Sequence, residues 1–156
     1  MAKTVIANTS CLISLHNIGL LYILQKLFGE VYITSDIQRV FGQSLPDWIK
    51  VQNPKNSELL TTFYAKLDKG EASAIALALE IQNATVIIDE LKGRKFAESY
   101  NVKTVGTIGI LIFAKEKGLV VNVMEEINKI IESGFRISKK LLTELNDEHR
   151  EDKTKG

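Results

Sequence analysis

Apolar residues fall in short blocks separated by polar, glycine-containing breaks along this chain. Thr4–Ala7 is an apolar run rich in β-branched residues that stops at Asn8-Thr9-Ser10, the pattern of a buried strand followed by a helix cap. A helical stretch follows from Cys11 to Phe28, interrupted near Asn17-Ile18-Gly19 and ended by Gly29. Glu30–Ile33 reads as a second strand, and Thr34-Ser35-Asp36 offers an N-cap to a helix reaching Phe41. Residues 42–56 are the least regular part, with both prolines and a short candidate edge strand at Trp48–Val51. The pattern then predicts a helix over Ser57–Leu67, a turn at Asp68-Lys69-Gly70 and a helix over Glu71–Ile81. That helix carries alanines at 72, 74, 76 and 78, small residues that allow close packing. Thr85–Ile88 is the most hydrophobic strand, with Asp89 at its end. A helix over Glu90–Tyr100, a strand over Val102–Val105 and an apolar helix over Thr107–Lys117 follow. Asn122–Ser133 places Val123, Ile127 and Ile130 on one stripe, and Ser138 caps a last helix to about Asn146.

Strands alternating with helices predict an α/β fold with a parallel central sheet. In open sheets of that kind, sites form at the carboxyl ends of the strands. This selects Asn8, Thr34, Asp89 and Gly106. No internal repeat or linker divides the 156 residues, so one domain is expected.

Composition narrows the chemistry. Hydrophobic residues make up 45% and charged residues 25%, the balance of an ordinary globular chain. Lys plus Arg is 20 and Asp plus Glu is 19, giving a net charge of +1, so a nucleic acid would have to be met by a local patch. One cysteine, Cys11, and two histidines, His16 and His149, exclude an internal disulfide and a Cys-rich zinc site. A metal here would need oxygen ligands, which suit Mg²⁺ or Mn²⁺. No run reaches the roughly 18 apolar residues of a membrane span. The polar breaks after Lys3 argue against a signal peptide, and a lone thiol fits the cytoplasm.

No nucleotide fingerprint is present: Val105-Gly106-Thr107-Ile108-Gly109 lacks the G-x-G-x-x-G spacing, and there is no G-K-[ST]. What remains is a set of acids at element ends: Asp36, Glu71, Asp89 and Glu90. Each alone is explained as a cap or first-turn acid favoured by the helix dipole. Asp89 and Glu71 together, meeting at the sheet's carboxyl edge, would hold one Mg²⁺. Arg94, about one turn past Asp89, is placed to hold a phosphate. Cys11 and His16 read as structural.

Four segments carry a resemblance: Thr4–Ser10, Gly70–Ala78, Ile87–Glu90 with Gly93-Arg94, and Val105–Leu111. In this order they resemble those of PIN-domain proteins, and among these the relatives of VapC-type toxins. The resemblance runs from about Thr4 to Asn146, so residues 1–146 are expected to form a three-layer α/β/α PIN-like domain and residues 147–156 a frayed tail. It implies a Mg²⁺- or Mn²⁺-dependent ribonuclease whose site is a cluster of acids. Glu71 and Asp89 match two of them, with Glu90 adjacent as a further metal candidate; Arg94 and Ser10 are the expected RNA contacts. The sequence departs from the family pattern at two positions, having Asn8 where an aspartate is expected and Val40 where another acid is expected. Asn8 still offers a carbonyl oxygen. Asp36, four residues before Val40 on the same helix face, offers a replacement acid. Val40 itself is expected to have joined the core. The resemblance further implies an antitoxin-type protein partner and a homodimer, for which Ile18–Leu24 is the candidate apolar surface. Two functional readings stand side by side: a PIN-type ribonuclease with a partly lost acidic site and weak or no activity, and a non-catalytic module that binds RNA or protein. A plain α/β module ranks behind both.

Overall fold

The computed structural model describes residues 4–149. Five strands form one sheet in the order β3-β2-β1-β4-β5: β1 (Thr4–Ala7), β2 (Val31–Ile33), β3 (Ile49–Val51), β4 (Ala84–Ile87) and β5 (Lys103–Val105). Every pairing is parallel, with β1 aligned to β4 from Thr4↔Ala84 to Ala7↔Ile87. Parallel neighbours need crossovers, and helices supply them. The helices are α1 (Thr9–Asn17), α2 (Ile23–Phe28), α3 (Ser35–Phe41), α4 (Ser57–Tyr64), α5 (Lys69–Ala78), α6 (Leu91–Ser99), α7 (Thr107–Glu116), α8 (Val123–Glu132) and α9 (Lys139–Glu148).

From β1 the chain steps outward through β2 to β3, then returns across the sheet to β4 and β5. Right-handed crossovers taken in opposite directions place their helices on opposite faces. The packing follows: α5 lies on β1 and β4 beside α4, whereas α1 packs with α7 and α8. The result is the three-layer α/β/α architecture expected from the strand–helix alternation. The order reverses between β1 and β4, so the crevice beyond their carboxyl ends is the switch point where such sheets bind ligands.

The break after Asn17 is real. Gly19 adopts φ 75°, open to a residue without a Cβ, and the helical segments on either side are bent by 119°. That bend folds Ile23 and Leu24 into the core, with Ile18, Leu20 and Leu21 packed against it. Much of the Ile18–Leu24 surface offered for pairing is therefore used internally.

Two expectations are corrected. Asp68-Lys69-Gly70 is a helix start rather than a free turn: Asp68 is the N-cap of α5, its Oδ1 accepting from the Glu71 N–H at 2.8 Å. Val40 is not in the core but 64% exposed, because α3 buries Ile37 and Phe41 and turns Val40 outward. The helix α5 is buried on all sides from Gly70 to Ala78. Its alternate alanines let it sit between the sheet, α3 and α4. The last helix runs to Glu148, slightly beyond the predicted end; residues 150–156 of the expected tail, and residues 1–3, lie outside the described residues. Among the described residues, no single helix is long and apolar enough to cross a membrane.

Candidate functional site

The carboxyl ends of β1, β4 and β5 are knitted together by their own backbone. The Asn8 N–H donates to the Ile87 carbonyl at 3.1 Å, and the Ile88 N–H donates to the Val105 carbonyl at 2.9 Å. Asn8, Glu90 and Gly106 then become the N-caps of α1, α6 and α7, none with a side-chain capping bond of its own and none with an acid in the first turn. Asp89 serves two of these helix starts at once. Its Oδ1 accepts from the Thr107 N–H at 2.7 Å, and its Oδ2 accepts from the Thr107 hydroxyl at 2.7 Å and the Ser10 hydroxyl at 2.6 Å. A carboxylate beside two helix N-termini is favoured by their dipoles. Ser10, expected to meet RNA, thus gives its one proton to Asp89.

Beneath this cluster lies Cys11, fully buried. Burial and the Asp89 charge push its thiol up, with a Thr107 hydrogen bond opposing them, so it stays a protonated core residue. His16 packs edge-on against Phe41 at 5.6 Å, a structural contact. Arg94 reaches the same spot from α6. The point where a side chain at Gly106 would begin lies 3.2 Å from Asp89 Oδ1 and 3.6 Å from an Arg94 guanidinium nitrogen.

Glu71 occupies a different network. It is 4% exposed in the first turn of α5, and its Oε2 has no hydrogen-bond partner. The carboxyl is pressed on Gly93 of α6, so closely that a Cβ there would collide with Oε2. Its pKa is raised to about 8 from an ordinary 4.5, first by burial, then by the Asp68 carboxylate within hydrogen-bond reach and by the Glu90 charge, with Lys92 opposing. Asn8, 8% exposed, likewise has an unpartnered buried Oδ1. An open cleft of about 390 Å³ beside Glu71 is lined by Tyr64, Asp68, Glu90 and Lys92 among others.

The placements of the expected residues are therefore uneven. Asn8, Glu71, Asp89 and Glu90 all stand on the turns after β1 and β4 or at the start of α5. No hydrogen bond joins Glu71 to Asp89, and among the described residues no three His, Cys, Asp or Glu side chains are arranged to hold one metal ion. Asp36 is turned to other work. Its Oδ2 accepts from the Tyr64 hydroxyl at 2.5 Å and its Oδ1 pairs with Arg39 at 3.2 Å. Tyr64 responds with a pKa pushed up to about 12, by burial first and then by this bond. Asp68 and Thr107 were not singled out from the sequence. Asp68 had a legible signal, since Asp-x-x-Glu ahead of an apolar run is a capping-box pattern. Thr107 had none beyond its place at a strand end.

A family model for the PIN domain matches residues 4–151. The chain belongs to the PIN-domain family. No curated protein matches it. PIN domains are generally metal-dependent, and the residues here can be tested for that role. A hard divalent cation needs oxygen donors, and Mg²⁺ takes only one or two carboxylates while keeping waters and substrate phosphate in its shell. Asn8 Oδ1 and Glu71 Oε2 are buried acceptors without donors, a situation that costs free energy until a donor or a cation meets them. This PIN domain's donor set fits a cation, with fewer carboxylates than the resemblance led one to expect.

Proposed function

We propose that this PIN domain is a divalent-metal-dependent ribonuclease of the toxin type whose acidic site is partly lost, leaving weak activity or none. The observation that carries the reading is the pair of unpartnered buried oxygens, Asn8 Oδ1 and Glu71 Oε2, beside the switch point of the sheet. Glu71 and Asn8 would hold Mg²⁺ or Mn²⁺, and the ion would polarise the scissile phosphate and its attacking water. Arg94, beside Asp89, would hold a phosphate of the RNA strand. Weakness follows from charge. A unit charge 4 Å from another is worth about 4 kcal/mol at an effective dielectric of 20, and Asn8 contributes none where an aspartate would. Asp89, accepting three hydrogen bonds, has little capacity left for a metal.

Asn8→Asp is nearly isosteric and returns the charge. Val40→Glu enters an exposed position and buries nothing. In RNA cleavage with Mg²⁺ or Mn²⁺, wild type is expected to be slow or inactive, Asn8→Asp faster, and the double variant fastest. Cleavage by wild type that neither change improves would overturn the degraded-site reading. A second reading, a non-catalytic module binding RNA or protein, is favoured by the occupied Asp89. RNA binding with no cleavage in any variant would select it. The toxin-type reading carries an antitoxin-type protein partner, a homodimer and a cytoplasmic setting. Val121, Leu91 and Val40 are the most exposed large apolar residues among the described residues and would be available to such contacts, and sedimentation at high micromolar concentration reads the homodimer directly.

A further inference from the structure

We propose that Asp68 supplies the second carboxylate of the cation site, the part that Asp36 offers in the sequence. This rests on the metal-dependent reading above and adds a residue to it.

The geometry is set by Gly70. The point where its side chain would begin lies 3.1 Å from Asn8 Oδ1, 3.4 Å from Thr9 Oγ1 and 3.5 Å from Asp68 Oδ1. Three oxygens from two elements thus face one spot that only glycine leaves open. Asn8 Oδ1 is an unpartnered acceptor in a side chain more than nine-tenths buried, and it is aimed into this cradle. On the other flank of the same helix turn stands Glu71, with its own unpartnered Oε2 and its carboxyl within reach of Asp68. Asp68 thus faces the Gly70 point together with Asn8 and also lies against the Glu71 carboxyl. Its Oδ1 receives one proton, from the Glu71 N–H. Lys66 and Lys92 line the cleft beside Glu71, so a divalent cation would take these oxygens in competition with the two lysines and with the proton that Glu71 holds against Asp68.

Asp36 cannot serve such a cation as the chain is folded, since one of its oxygens is held by Tyr64 and the other by Arg39. Asp68, whose carboxylate opens on the cleft beside Glu71, can. The competing account is that Asp68 only caps α5. Asparagine separates the two, because it caps a helix as well as aspartate does and carries no charge.

The test is Mn²⁺ binding alone, read from the loss of the free-ion EPR signal on titrating the full chain. Wild type is expected to bind and Glu71→Gln to lose binding. Asp68→Asn should weaken it by about tenfold or more, the scale on which groups supporting a metal act. Asp68→Ser, a second neutral cap, should do the same, and Asp36→Asn should leave affinity unchanged. Thermal melting without metal should show no loss of stability in Asp68→Asn, since the cap is kept and the charge facing Glu71 is removed. If Asp68→Asn and Asp68→Ser bind Mn²⁺ as wild type does while Glu71→Gln does not, Asp68 is a cap only; the inference falls and the metal site stands. If wild type binds no Mn²⁺, both fall.

Discussion

Glu71 is an acid folded into a place that favours its neutral form. Burial, Asp68 and Glu90 together raise its pKa to about 8, against an ordinary 4.5. The consequence for stability has a definite sign. Below about pH 4.5 the group is protonated in both folded and unfolded chains and contributes no pH dependence. Between 4.5 and 8 the folded state holds a proton that the unfolded state has released, so stability falls as pH rises through that window. Above 8 the fold carries the full cost of a buried charge. One proton sets a limiting slope of about 1.4 kcal/mol per pH unit. Thermal melting from pH 5 to 9 should show this decline in wild type, and Glu71→Gln, neutral throughout, should flatten it. A slope unchanged in Glu71→Gln would place the proton elsewhere.

At the scale of elements, α3 and α5 are joined through two buried hydroxyls. Thr34 Oγ1 and Ser73 Oγ are 2.7 Å apart, and the Ser73 hydroxyl also reaches the Gly70 carbonyl at 3.1 Å. Thr34 caps α3 by accepting from the Ile37 N–H. This hydroxyl relay fixes the turn from which Glu71 projects. Ser73→Ala should leave a buried polar group short of a partner and cost about 1–3 kcal/mol in urea unfolding. A loss within 0.5 kcal/mol would mean that packing of the alanines alone holds α5 in place. The existence of α5 was legible in its composition, and its start in the Asp-x-x-Glu spacing, which competes with a turn reading of the same residues. Asp68-Lys69-Gly70 has turn chemistry, and the same residues make a helix cap once the Asp68 carboxylate turns back on the Glu71 N–H. The strands were legible because parallel strands, buried on both faces, read as unbroken apolar runs. Val40 was misplaced because Ile37, Val40 and Phe41 stand at i, i+3 and i+4, a spacing that reads as one buried face, whereas the fold buries only Ile37 and Phe41.

Over the whole molecule, the order β3-β2-β1-β4-β5 puts the ends of β1 and β4 side by side, and this brings Asn8 to the turn that carries Asp89. Strand-end placement was enough to name both residues, and Gly106, from the sequence. It was not enough to show that Asp89 is shared between two helix starts, that Asp36 bonds to Tyr64, or that Asp68 lies against Glu71 and faces the Gly70 turn with Asn8. Those depend on which side chain finds a donor first, and that is decided by packing between elements distant in sequence. On the proposed function, this PIN domain keeps a cation site at the sheet's carboxyl edge with Asn8 in place of an acid. An anomalous difference map from crystals of the protein grown with Mn²⁺ tests it most directly. One strong peak is expected beside Asn8, Asp68 and Glu71. Crystals with Mn²⁺ in the solvent and no peak at that edge would contradict it.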